Sequence, residues 1–206
     1  MKVIFRYCDY TAGARFGVQN ITWSVSRVVK LSKEQFEGVM EKAGAAWASV
    51  ANISFSRVSH GSPHIMGSFQ PTVHMDDGEH SNQTFENQEV AHASLPCFKG
   101  DNRMRYIHMH DRWDWTMDGY PAVLDTVAHE MGHALGLGHT NGSEDLMNPR
   151  QRSSILSKDK GTVYFSDTDR QGIQALYGGH EENTKKELKW NPGWGNFSTW
   201  MHEKWF

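Results

Sequence analysis

Apolar residues recur along the chain in two periods, and the switches between them divide it into elements. In "ITWSV" Ile21, Trp23 and Val25 alternate with small polar residues, the mark of a half-buried strand. "LSKEQFEGVMEKAGAAWASVA" then changes to helical spacing, with Phe36, Val39, Met40, Ala43 and Trp47 on one face. Ser32 is placed to cap this helix and Gln35 to return the reciprocal bond of a capping box. "ISFSRV" (53–58) and "HIMGSF" (64–69) predict two more strands, separated by Ser-His-Gly-Ser-Pro. Residues 70–90 are polar and read as an extended loop, and short strands follow at Val90–Leu95 and Met104–Met109.

A second helix is expected from near Pro121, since proline is tolerated in a first turn. Its apolar face is Leu124, Val127, Ala128, Met131 and Leu135, and Gly136 ends it. After a Ser/Lys-rich loop (150–163), "SDTDRQGIQALYG" predicts a last helix, capped near Ser166 or Asp167 and closed by Gly178. Residues 1–19 form an irregular arm, 20–178 a single domain and 179–206 a tail of different composition. That tail carries Trp190, Trp194, Trp200 and Trp205. It reads either as an extension packed back on the domain or as an aromatic binding segment.

The stretch "AHEMGHALGLGHT" (128–140) departs from what helix stability alone would select. His129 and His133 stand one turn apart on one helix face, so both imidazoles can reach one metal ion. Glu130 falls beside that ion, where a base takes a proton from water. Gly136 allows a positive φ, which lets the chain turn and bring His139 back as a third ligand. Three protein ligands leave a fourth position open, as catalytic zinc sites do.

Composition and short motifs add to this picture. A net charge of −3 over 206 residues gives no reason to expect nucleic acid or an anionic membrane, and no apolar run is long enough to span a bilayer. Twelve histidines are many, and neutral imidazole is a metal ligand. Two cysteines, Cys8 and Cys97, make no disulfide framework. Sequons at Asn20, Asn52, Asn82, Asn141 and Asn196 lean toward the secretory pathway. The start "MKVIFRYCDYTAG" lacks the features of a signal peptide, so the chain either is not exported or lacks its export region.

His129-Glu130-x-x-His133-x-x-Gly136-x-x-His139, with Met147 in "LMNP" eight residues later, resembles the metzincin motif and Met-turn of the matrixins, the matrix metalloproteinases. Thr140 is close to the usual serine of that family, and "AAWASVANISF" and "SDTDRQGIQALYG" resemble its first helix with second strand and its closing helix. The resemblance implies an α+β, zincin-like fold: a twisted, mostly parallel five-stranded sheet, three helices, and the active-site helix under an edge strand. It also implies a zinc metalloendopeptidase acting on protein or peptide substrates, monomeric and secreted. Glu130 would be the general base, and the edge strand with Val90, Ala91 and Ala93 would pair with extended substrate. Pro149 would begin the wall of the specificity pocket, where Gln151 replaces the usual tyrosine and weakens any expectation of a generic apolar preference.

The same resemblance implies a structural zinc held by His74, Asp76, His92 and His108, with His80 and His110 as spare candidates. The calcium sites of the family look eroded: His64 and His110 stand where acids are expected. Glu86, Glu89, Asp101 and Asp111 are carboxylates able to bind calcium, without an assignment. Matrixin proforms silence the zinc with a cysteine; "FRYCDY" keeps an arginine and an aspartate around Cys8 but lacks the Gly and Pro. Cys8 is thus a remnant of that latch, an ordinary thiol or a partner of Cys97. The competing function is an inactive zinc-binding protein, or a surface-binding module that uses the Trp-rich tail.

Overall fold

The computed structural model describes residues 13–76, 79–86, 88–115, 123–149 and 162–180, without the side chains of 76 and 79–82. Its elements run β1 (Asn20–Val25), α1 (Lys33–Ala48), β2 (Ser54–Arg57), β3 (Ile65–Gln70), β4 (Val73–Asp76), β5 (Glu79–Thr84), β6 (Ala91–Ala93), β7 (Arg105–His110), α2 (Val123–Leu135) and α3 (Asp167–Tyr177). Five strands form one sheet in the order β2-β1-β3-β7-β6. The β1–β2, β1–β3 and β3–β7 pairs are parallel, and β6 alone runs antiparallel, against β7 at the edge. The fold class expected from the resemblance is the one observed.

Parallel strands need crossovers, and α1 supplies the one between β1 and β2. It starts as the sequence predicts: the Ser32 side chain accepts from the Gln35 N–H, and the Gln35 side chain accepts from the Ser32 N–H. Phe36, Val39, Met40, Ala43 and Trp47 are all buried, so the predicted face is the face used. Glycines on the sheet and helix set the approach. A Cβ on Gly44 would lie 2.8 Å from the Phe55 ring, which leaves no room for a side chain there.

Residues 70–90 are not wholly loop. They contain the antiparallel hairpin β4–β5, which forms a separate two-stranded sheet. Its polarity is inverted relative to an ordinary half-buried strand: Val73 and Met75 are exposed, while His74 and Gln83 are buried. An alternation with histidine and glutamine inward does not register as a strand when apolar residues are the signal.

The carboxylates considered for calcium have protein partners. Asp111 pairs with Arg27 at 3.0 Å. Asp101 is buried and pairs with Arg105, accepts from Arg103 Nε at 2.8 Å, and accepts the Cys97 N–H at 3.0 Å. Burial alone would raise the Asp101 carboxyl, but these hydrogen bonds and the Arg105 charge hold it well below the carboxylate range. His64 binds Thr22, with its Nδ1 3.0 Å from the Thr22 N–H.

Trp47 joins α1 to α2. Its ring is fully buried, packs on Phe165 at 4.5 Å between centroids, and donates Nε1–H to the Ala128 carbonyl at 2.9 Å. Trp47→Phe removes that donor and part of the ring. Chemical denaturation of the metal-loaded protein should show a loss of about 1–3 kcal/mol from the bond, with a further cost for the void.

Candidate metal centres

Helix α2 is buried along most of its length, packed under the edge of the sheet against β6 and β7. On it, His129 and His133 present imidazoles whose Nε2 atoms are 3.0 Å apart. At Gly136 the helix ends, at φ 110°. The turn carries His139 back, so that one donor atom from each of His129, His133 and His139 lies within 4.8 Å of the others. Donors about 2.0–2.1 Å from a tetrahedral zinc are about 3.3–3.4 Å apart, so the trio has the right scale.

Protonation makes the case sharper. A neutral imidazole carries one N–H. His129 Nδ1 is 2.6 Å from the Leu146 carbonyl, and His133 Nδ1 is 2.7 Å from the Leu137 carbonyl, so each N–H is used there. The two Nε2 atoms facing each other at 3.0 Å therefore both carry lone pairs. Two lone pairs at that distance repel, unless a cation sits between them. Burial pushes His133 well below the ordinary histidine range, with the neighbouring His129 and His139 adding to it. Burial likewise lowers His139 to about 4, so both rings are neutral at pH 7. His139 Nε2 and Glu130 Oε1 are buried with no hydrogen-bond partner among the described residues. Orphaned buried polar atoms of this kind call for an ion or water to satisfy them. The donor set, three neutral nitrogens, suits zinc.

Glu130 is 1% exposed. Burial pushes its carboxyl well above the ordinary range, and the charge of Glu89 adds to that. A divalent ion at the neighbouring histidines works in the opposite direction.

Met147 packs on α2 at Gly132. A Cβ on Gly132 would fall 2.5 Å from Met147 Sδ and 2.9 Å from the Trp47 ring. Gly132 is the space in which the methionine lies, a role that the sequence pattern alone did not reveal. Asp169, on the first turn of α3, accepts the Leu146 N–H at 2.7 Å and the Met147 N–H at 3.1 Å. The loop is closed by Thr140 N–H donating to the Met147 carbonyl at 3.0 Å.

A second cluster joins His74 of β4, His92 of β6 and His108 of β7, all buried. Nε2 of His74 is 3.2 Å from Nε2 of His92 and 3.0 Å from Nδ1 of His108. His74 Nδ1 is 3.0 Å from the Pro71 carbonyl, and His92 Nδ1 is 3.3 Å from Glu89 Oε1, which again directs lone pairs inward. Burial, then His92 and His74, lowers His108 to about 2. His110 is not a member. Its Nδ1 meets the Glu89 carbonyl at 3.1 Å, its Nε2 meets Thr72 Oγ1 at 3.0 Å, and its ring stacks on Phe85.

Of the remaining sequence candidates, Asp76 ends β4, with its side chain outside the described residues, as is that of His80. Val90, Ala91 and Ala93 lie on or beside the edge strand with buried side chains, which leaves backbone as their means of contact. Pro149 ends the described segment after Met147, and Gln151 lies beyond it. Cys8 is also outside the described residues, while Cys97 is disulfide-bonded.

The model of one family, described as matrixin, matches residues 15–178. Stromelysin-2 of Rattus norvegicus is 36% identical over 161 residues, covering 75% of this chain and 31% of that protein. Stromelysin-1 of Mus musculus is 36% identical over 177 residues, covering 84% and 35%. Interstitial collagenase of Oryctolagus cuniculus is 34% identical over 150 residues, covering 72% and 29%. The chain thus spans about a third of the length of the curated relatives it matches.

Gly136 offers a direct check on the first centre. Besides its positive φ, a Cβ there would stand 2.1 Å from the Ala14 carbonyl oxygen. Gly136→Ala should displace the turn, uncouple Leu137 from His133 and cost well over 1 kcal/mol. Elemental analysis of the purified variant should find about one zinc fewer per chain than in the parent.

Proposed function

Because this chain belongs to the matrixin family, we propose that it is a zinc-dependent metalloendopeptidase that hydrolyses internal peptide bonds of extended polypeptides. The observation that carries the proposal is the pair of inward lone pairs on His129 and His133 with the unpaired, buried Glu130 Oε1 beside them. His129, His133 and His139 would hold the zinc, and His74, His92 and His108 with Asp76 a second, structural one. When bound, zinc at the first centre supplies a Lewis acid and makes water a competent nucleophile near pH 7.

The chain's own residues do the rest. The Leu146 and Leu137 carbonyls keep His129 and His133 in the tautomer that binds metal. The Glu130 carboxylate accepts the proton of the attacking water. It later delivers that proton to the amide nitrogen as the C–N bond breaks. The outer edge of β6, around Val90, Ala91 and Ala93, pairs with the extended substrate by backbone hydrogen bonds. Pro149 begins the wall of the side-chain pocket. The enzyme works as a secreted monomer. Among the described residues no helix is long and apolar enough to cross a membrane.

Glu130→Ala should lower cleavage of a peptide library by roughly 10²–10⁴-fold while leaving the zinc content unchanged. Cleavage at the parental rate would sink the assignment and favour a zinc-holding binding protein. For the second centre, the double variant His92→Ala, His108→Ala should retain about one zinc fewer by elemental analysis; full retention would reject those ligands.

A further inference from the structure

A carboxylate buried away from water is costly unless its oxygens are hydrogen-bonded. Glu89 is 5% exposed and meets that condition. Its Oε2 accepts the Glu86 N–H at 2.9 Å, and its Oε1 stands 3.3 Å from His92 Nδ1. Its backbone is held as firmly: the carbonyl accepts Trp113 Nε1–H at 3.3 Å and lies 3.1 Å from His110 Nδ1. The residue is therefore fixed at both ends, two positions ahead of β6 and three ahead of His92.

The outer partners of the metal-facing imidazoles differ in kind. His74, His129 and His133 each direct the far ring nitrogen to a backbone carbonyl. His92 directs its own to a carboxylate. A carbonyl is enough to choose the tautomer; a carboxylate also makes the ring more basic and adds a negative charge one residue out from the ion. Charge counting shows why that matters at this centre. A divalent ion with three neutral imidazoles brings two positive charges into a buried place, and Glu89 offsets one of them.

We propose that Glu89 is the positioning residue of the second centre: it holds His92 with Nε2 turned inward and neutralises the charge of a divalent ion, zinc by donor chemistry, held there. The inference rests on the structural-zinc reading above. Its signal in the sequence is the spacing Glu-x-x-His in "ENQEVAHA".

The test compares the full-length parent with Glu89→Ala, Glu89→Gln and His92→Ala, all purified with excess zinc and then dialysed against graded EDTA. His92→Ala should lack about one zinc from the outset. Glu89→Ala should start with the parental content and lose its second-centre zinc at roughly 10–100-fold lower chelator. Glu89→Gln keeps one acceptor oxygen and no charge, and should fall between the two. Cobalt(II) substitution supplies a readout that general destabilisation would not mimic: the Glu89 variants should change the absorption of one centre and leave the other as in the parent. If Glu89→Ala, or Glu89→Gln where the alanine variant does not fold, releases metal in step with the parent while His92→Ala lacks it, the role of Glu89 is rejected. If His92→Ala keeps all its zinc, the second centre itself is rejected, whatever Glu89 does.

Discussion

A single buried carboxylate, that of Asp169, ties the closing helix to the metal helix. It accepts hydrogen bonds from the Leu146, Met147 and Ser166 backbone N–H groups and from the Ser166 hydroxyl. Ser166 is the N-cap of α3, so the same acid completes the cap and grips the turn below α2. From that turn the Leu146 carbonyl reaches His129, and the Met147 side chain fills the space left by Gly132. Without Asp169, three buried N–H groups would lose their acceptor, at about 1–3 kcal/mol each. The orientation of His129 is set through this chain of contacts, from one helix to another by way of a loop.

Both centres follow one electrostatic rule. In both centres the far ring nitrogens of His74, His92, His129 and His133 are given fixed acceptors, so their other nitrogens converge as lone pairs. Burial keeps His108, His133 and His139 neutral, with desolvation the largest cause of their lowering. Neutral rings do not repel as cations, but their lone pairs at 3.0–3.2 Å are uncomfortable neighbours. A fold that stabilises this arrangement through its hydrogen bonds has already met part of the ordering cost of binding a cation.

How much of this was legible beforehand depended on whether the signal was local. The capping box of Ser32 and Gln35, the cap at Ser166, the turn at Gly136 and the spacing of three histidines are all set within a dozen residues, and all are where the pattern placed them. The hairpin β4–β5 was missed because its inward positions are His74 and Gln83, not apolar residues. Gly132 carries no local signal of its role, since the need for its missing Cβ comes from Met147, fifteen positions away. Nor does any local pattern announce that Arg103 and Arg105 fold onto Asp101.

Strand β6 links the two candidate metal centres. Alternate residues of a strand point to opposite faces. His92 faces the hairpin, where His74 meets it, so Ala91 and Ala93 face the other way, toward the core that α2 shares. Their small side chains let the metal helix come up directly beneath the strand. With three residues and a neighbour on one side only, β6 has little of its own to hold it in place. The cluster through His92, braced by Glu89, joins this edge to β7 and to the hairpin. An ion bound there would fix the strand proposed to face substrate, and the second centre would thereby act on the first through geometry, without contributing a group to its chemistry.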